Sequence, residues 1–287
     1  MLNPKAVKLS PGLYLVATPI GSARDITLRA LDILANADVL VAEDTRTLRK
    51  LMEIHGVPLG DRQVLSYHDH NGAQMRPRLL GLLEQGLTMA YASEAGTPMV
   101  ADPGFDLARA AREAGHPVTS APGASAVVTA LTVGGLPADR FFFAGFLPNS
   151  SGQRKTALRG YADIPGTLVF YESPKRIGAM LRDCAEVLGA DRQAAICREL
   201  TKKFEEVIPG TLADLAETCE ARTLKGEIVV LISRKSSESI NEVDLEELIK
   251  EALTRQSVRD AADAVSASTG LPRRQVYQMA LKLEQKE

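Results

Sequence analysis

Residues 13–17 form a short apolar run that ends in Thr18-Pro19-Ile20-Gly21, and beyond it Ile26, Leu28, Leu31 and Leu34 recur at helical spacing. The pattern predicts strand, loop, helix. The unit returns three times: 39–42 precedes a helical stretch at 45–54, 64–66 precedes 75–83, and 88–92 precedes 105–114. Strands alternating with helices predict a mostly parallel sheet flanked by helices, because parallel neighbours require a crossover.

After Pro122 the rhythm changes. Helices are expected at 124–133, 156–162 and 177–188, between strands at 141–144 and 168–171. Strands then crowd together at 194–198, 205–208 and 228–232 around a helix at 212–222, which predicts a mixed sheet. Residues 234–241, rich in Ser, Lys and Glu, read as a linker. Beyond it come a helix at 245–253 and a helix, turn, helix pattern at 258–268 and 273–283 around Gly270-Leu271-Pro272. That tail fits a nucleic-acid contact and a packed helical cap about equally. The expected division is 1–121, 122–236 and 242–287.

Length agrees, since 287 residues exceed one usual domain and leave room for two compact units with a small third. An apolar share of 45% and a charged share of 24% exclude disorder and fibre. Residues 1–10 lack the apolar core of a signal peptide, and no apolar run is long enough to span a bilayer, so a cytosolic protein is expected. Cys184, Cys197 and Cys219 are odd in number and form no C-x-x-C. They read as buried small hydrophobes rather than a disulfide framework or zinc site. A net charge of −2 argues against a nonspecific nucleic-acid coat, yet a local basic surface could still read a folded RNA.

In an open parallel sheet, ligands gather beyond the carboxyl ends of the strands. Three Gly and Pro clusters fall there: Thr18-Pro19-Ile20-Gly21, Ser93-Glu94-Ala95-Gly96-Thr97-Pro98, and Ala121-Pro122-Gly123-Ala124-Ser125-Ala126. Glycine permits close backbone approach and proline stiffens a loop, so the three suit a compact ligand held through main-chain atoms. Phosphate-loop, ordinary dinucleotide, serine-hydrolase and zinc-protease motifs are missing from the sequence.

Candidate acids follow the apolar strands. Glu43-Asp44-Thr45-Arg46 puts two carboxylates and a guanidinium at a strand end, and Glu172 follows the strand at 168–171. Either segment could instead cap a helix. His68 and His70 could share a face of an extended segment, but no third ligand accompanies them; RNA contact or a hydrogen-bonded loop is the expected role, and no metal is proposed. Lys175, Arg176, Arg273 and Arg274 are the candidate phosphate contacts.

These segments together resemble the tetrapyrrole methylase superfamily, and within it the ribosomal RNA small subunit methyltransferase I branch. The resemblance covers nearly the whole chain through Leu13-Tyr14-Leu15-Val16, Thr18-Pro19-Ile20-Gly21, Asp25-Ile26-Thr27, Glu43-Asp44-Thr45-Arg46 and His68-Asp69-His70-Asn71. It continues through Ala95-Gly96-Thr97-Pro98, Asp102-Pro103-Gly104, Tyr171-Glu172-Ser173, Arg198-Glu199-Leu200-Thr201-Lys202 and Lys225-Gly226-Glu227. Two positions depart: Glu94 replaces the usual Asp, and Ser22 the usual Asn.

The resemblance implies two α/β domains with an interdomain cofactor cleft and a small C-terminal helical extension. It further implies a cytosolic, usually dimeric enzyme that methylates the ribose 2′-hydroxyl of a decoding-site cytidine in 16S ribosomal RNA. S-adenosylmethionine would lie near Pro19, Ile20, Glu94, Thr97, Val100, Ala124, Ser125, Ala126, Tyr171, Leu200 and Glu227. The helix start after Gly123 suits the methionine carboxylate on physical grounds too. A ribose hydroxyl is a poor nucleophile when neutral, so Glu43, Asp44 or Glu172 would serve as base, with Arg46 holding a phosphate or a carboxylate. Methylation of a tetrapyrrole carbon and a noncatalytic RNA-binding assembly factor are the alternatives.

Overall fold

The structure, a computed structural model, describes residues 4–100, 104–235, 242–269 and 271–284. Asp102 and Pro103 of the quoted motif, positions 236–241 of the expected linker, and Gly270 of the C-terminal turn lie outside the described residues.

Five strands, β1 (Gly12–Val16), β2 (Val39–Ala42), β3 (Val64–Ser66), β4 (Thr88–Ala92) and β5 (Val118–Ala121), form one sheet in the order β3-β2-β4-β1-β5. Every pairing in it is parallel. β2 and β4 are buried at every position, as strands covered on both faces must be. Strand alternation decides which helices meet which side chains. Val16, Leu40, Ala42, Ala90 and Ala92 pack against α1 (Leu28–Asn36) and α2 (Thr45–Ile54). Leu13, Leu15, Val39, Val41, Met89 and Tyr91 pack against α3 (Gly72–Glu84) and α4 (Gly104–Glu113) on the other face.

The second sheet is mixed, as its crowded strands suggest. It comprises β6 (Phe141–Phe146), β7 (Thr167–Glu172), β8 (Gln193–Arg198), β9 (Glu206–Thr211) and β10 (Ile228–Ile232) in the order β6-β7-β10-β8-β9. Only β6 and β7 run parallel; the other pairs are antiparallel. One face is covered by α6 (Ser151–Tyr161), α7 (Ile177–Leu188) and α8 (Leu212–Ala221) over Leu168, Phe170, Ile196 and Val230. The other face, with Val169, Ala195, Cys197, Val229 and Leu231, packs against α5 (Ala126–Val133) and Ile20. Ile20 belongs to the loop after β1, so this cluster joins the two sheets.

Three C-terminal helices, α9 (Glu242–Leu253), α10 (Val258–Thr269) and α11 (Arg273–Glu284), build a separate core from Leu245, Ile249, Ala262, Val265, Val276 and Ala280. Among the described residues no helix is long and apolar enough to cross a membrane.

Several bounds depart from the sequence reading, α3 beginning at Gly72 and α5 at Ala126, and two elements depart further. No range is predicted for β5, although the cluster at Ala121 is placed at a strand end: among the described residues it pairs with β1 alone, and Thr119 and Ser120 give it no apolar run. α6 begins at Ser151 rather than 156, because its polar first turn is fastened by Arg154, whose Nε donates to Asp183 Oδ2 at 2.6 Å. Local capping is readable in α1, where Thr27 accepts from Ala30 N at 3.1 Å. Thr27→Ala should cost about 1 kcal/mol in urea denaturation. An unchanged midpoint would show that the cap contributes nothing.

Candidate functional site

A cavity of about 490 Å³ opens where the carboxyl ends of both sheets meet. From the first sheet come Ile20 after β1, Glu43 after β2, Glu94, Gly96 and Thr97 after β4, and Ser125 and Ala126 beyond β5. Tyr171 and Glu172 end β7, Cys197 lies near the end of β8, and Ile228 and Val229 begin β10. β10 runs antiparallel to its neighbours, so its start lies at their carboxyl edge.

The loops after β1 and β4 are locked together. Thr18 N donates to Gly96 O at 2.9 Å and Gly96 N to Thr18 O at 3.0 Å. Gly96 has φ +79°, and a Cβ there would lie 3.2 Å from Ile20 Cγ2. Thr97 Oγ1 donates to Ala124 O at 2.9 Å, tying this loop to the start of α5. Ser125 is the N-cap of α5, but its hydroxyl makes no capping bond. The first turn of α5 therefore offers backbone amides at the cavity wall, suited to a ligand anion.

A second clasp crosses from the other sheet. Glu199 and Thr201 hold positive φ of 51° and 64°, a strained conformation for side-chain-bearing residues. Thr201 Oγ1 accepts from Ser22 N at 3.0 Å, and Lys202 Nζ donates at 2.9 Å to both Glu199 Oε1 and Glu227 Oε2. Burial opposes the charge on Lys202, but the two carboxylates outweigh it and raise its pKa. Gly21 and Gly226 admit the loop: a Cβ on Gly21 would meet Lys202 Cγ at 2.5 Å, and Gly226 (φ +87°) abuts Glu199.

The walls combine apolar and acidic groups. Ile20, Val100, Leu200, Val229 and Cys197 are apolar, and burial pushes the Cys197 thiol up to about 11, so it stays neutral. Burial, with Glu227 nearby, also raises Tyr171 and keeps its phenol protonated. Glu43, Glu94, Glu172 and Glu227 supply four carboxylates. Helix amides, a flat apolar wall and carboxylates together fit a ligand that carries an anionic end, cationic groups and an aromatic base.

Glu172 is the acid with unspent capacity. Its side chain is 0% exposed, and Oε1 accepts from Ser173 N at 2.8 Å. Oε2 lies 3.2 Å from Arg176 Nη2 as an ion pair, yet no hydrogen bond is aligned with it. A buried carboxylate oxygen with an unused acceptor site is costly unless a ligand completes it.

Of the residues expected to hold cofactor, Ile20, Glu94, Thr97, Val100, Ser125, Ala126, Tyr171, Leu200 and Glu227 line the cavity. Pro19 and Ala124 are not among the lining residues, and the Ala124 carbonyl accepts from Thr97. Of the four expected around the acceptor, only Glu43 and Glu172 line it. Asp44 instead caps α2, accepting from Arg46 N at 2.8 Å, while the Arg46 side chain is 90% exposed and pairs with Asp44. That arrangement holds the Asp44 carboxyl below its ordinary pKa.

Among the expected RNA contacts, Lys175, His70 and Arg274 are exposed. Arg176 is committed to the protein: it donates to Leu147 O at 2.6 Å and Asn149 Oδ1 at 2.5 Å and faces Glu172. Arg273 is bonded to Asp263 and stacks near Tyr277. His68 and His70 have ring centroids 6.0 Å apart, and their loop is pinned by Asn71, which accepts from His68 N at 2.8 Å. Among the described residues no cluster of three His, Cys, Asp or Glu could hold a metal ion. Phe146, Ser173 and Pro174 also line the cavity and were not anticipated.

Two α/β sheets meeting at such a cavity define the architecture, and residues 12–216 match the tetrapyrrole (corrin/porphyrin) methylase family, to which the chain belongs. Residues 240–284 match the RsmI C-terminal HTH domain. Relatives carry the name ribosomal RNA small subunit methyltransferase I. The protein of Mesorhizobium japonicum is 44% identical over 96% of this chain and 93% of its own. That of Micromonospora olivasterospora is 42% identical over 93% and 85%. The fold is also that of the uroporphyrin-III C-methyl transferase of Thermus thermophilus complexed with S-adenyl homocysteine, with a TM-score of 0.53 at 20% identity, covering 77% of this chain and 96% of that one.

Proposed function

We propose that the chain transfers the methyl group of S-adenosylmethionine to the ribose 2′-hydroxyl of a decoding-site cytidine in 16S ribosomal RNA. It acts in the cytoplasm as a homodimer on the small ribosomal subunit, and is divided at 1–121, 122–236 and 242–287. The names of its relatives support a ribosomal RNA methyltransferase. The observation that carries the chemistry is the buried Glu172 carboxylate at the cavity wall, with one oxygen ion-paired to Arg176 but accepting no hydrogen bond.

Bound, S-adenosylmethionine supplies a methyl carbon already activated by a sulfonium, so the protein needs only to orient, exclude water and remove a proton. The first amides of α5 would hold the methionine carboxylate, and the apolar wall from Ile20 to Val229 would hold the adenosine. Glu94 and Glu227 face the cationic groups. Glu172 Oε2 would accept the hydroxyl proton as the ribose oxygen takes the methyl carbon and the sulfur–methyl bond breaks, the sulfonium leaving as a neutral thioether, with Glu43 across the cavity as the second carboxylate. Asp44 and Arg46 fix the start of α2 beneath Glu43, and Arg46 extends into solvent where a phosphate can reach it. Lys175, His68, His70, Arg273 and Arg274 contact RNA, and Arg176 acts from behind by holding Glu172.

Tetrapyrrole carbon methylation fits less well. A polycarboxylated macrocycle would meet four glutamates, and among the described residues no Lys, Arg or His lines the cavity. The test is transfer of labelled methyl from S-adenosylmethionine to small ribosomal subunits lacking the modification, followed by nucleoside digestion. Label in 2′-O-methylcytidine is expected; label in a methylated base would refute the reading.

The tail gives a separate expectation. Its three helices have their own core, so truncation after Asn241 should leave S-adenosylmethionine affinity intact and weaken binding to RNA. Unchanged RNA affinity would make the tail a structural cap.

A further inference from the structure

The second-sheet wall of the cavity carries an exposed aromatic face. Phe146 ends β6 and is 58% exposed, yet it lines the cavity beside Tyr171, Glu172 and Ser173. Exposure alone is ordinary, since Phe105 and Phe204 are about as exposed; what sets Phe146 apart is that its open ring lines the cavity.

The backbone is built to present that ring. The register of β6 against β7 shifts between Phe143 and Gly145, and Gly145 has φ +66°. Such a bulge re-aims the side chain that follows it, and glycine accepts the conformation without strain. The ring meets Tyr171 edge-on, centroids 5.7 Å apart. The following residues are pinned from two sides. Arg176 grips Leu147 O and Asn149 Oδ1, and Arg154 Nη1 donates to Pro148 O at 3.2 Å and Asn149 O at 3.1 Å.

Charge limits what can sit against Phe146. Four carboxylates line the cavity, Glu172 and Glu227 of them ion-paired from outside the lining by Arg176 and Lys202, and no basic side chain lines it among the described residues, so nothing in its interior attracts a phosphodiester. An RNA acceptor can therefore enter by sugar and base, with its phosphates left outside. An extruded base has two π-faces to re-cover, and aromatic side chains are the usual platform.

We propose that Phe146 is the stacking platform for the base of the acceptor nucleotide, fixing the attached ribose against Glu172. The inference rests on the ribose-methylation reading above. It makes Phe146 a substrate-binding residue that acts on the acceptor and not on the methyl donor.

Three variants test it: Phe146→Ala, Phe146→Leu and Phe146→Tyr. Each is assayed for methyl transfer to small ribosomal subunits from cells lacking the protein, and for S-adenosylmethionine affinity by calorimetry. Loss of one base stack should lower kcat/KM for the particles by roughly tenfold to a hundredfold in both Ala and Leu, while Tyr stays within about threefold of wild type. S-adenosylmethionine affinity and melting temperature should stay unchanged in all three. A Leu variant as active as wild type would overturn stacking and leave a merely apolar wall. A parallel loss of S-adenosylmethionine affinity would overturn it too, assigning the ring to the cofactor. A wild-type protein that methylates no ribose would refute the underlying reading, a result seen before any variant is compared.

Discussion

Replacing Glu172 by Gln should lower methyl transfer to small ribosomal subunits by about a hundredfold or more, the size expected when general-base assistance is lost. The substitution keeps shape and the Oε1 acceptor for Ser173 N, so the turn after β7 should survive. Affinity for S-adenosylmethionine should remain near wild type, because Glu172 acts on the acceptor. The rate profile separates two roles: loss of a base removes the acidic limb, whereas a positioning defect lowers the curve without reshaping it. Near-normal turnover in this variant, with Glu43→Gln inactive, would move the base to the opposite wall.

Gly96→Val should abolish measurable S-adenosylmethionine binding. Gly96 holds φ +79° between Thr18 and the start of α5, and an added Cβ meets Ile20 Cγ2 at 3.2 Å and Ala124 O at 3.5 Å. Backbone strain of about 1–3 kcal/mol stays below a domain stability of about 5–15 kcal/mol. The chain should therefore stay folded by far-UV circular dichroism while its cavity loop is displaced. Wild-type affinity with a normal spectrum would contradict the cofactor placement.

What could be read from the sequence follows from how each element is stabilised. β2, β4 and β10 are buried throughout, and their unbroken apolar runs declare them. α2 and α7 follow apolar periodicity and were expected at the bounds observed. β5 is specified by its ladder to β1 instead of by composition, and the first turn of α6 by one buried ion pair, so neither has a local signal. α5 begins at Ala126 and not at 124 because Ser125 is still extended, with φ −144° and ψ 123°.

The site divides in the same way. Gly and Pro loops at strand ends mark the three segments that hold Ile20, Thr97, Ser125 and Ala126, since strand direction decides which loops converge, while the resemblance singles out those residues within them. Neighbours within one motif could not be separated: Glu43 reaches the cavity, whereas Asp44, one residue later, turns back to cap α2. Arg176 reads as a surface cation in the sequence because the carbonyls that surround it, Leu147 O and Pro148 O, belong to a distant loop. Phe146 lies beyond the strand predicted at 141–144, and its one available clue is Gly145, which separates it from that run and can mark a bulge or a close approach.

The most direct measurement is a map of ribose methylation on 16S ribosomal RNA from cells lacking this protein, complemented with the wild-type chain or with Glu172→Gln. Loss of one 2′-O-methyl group at a decoding-site cytidine is expected, restored by the wild type and not by the variant. An unaltered ribose map, or loss of a base methylation in its place, would contradict the account.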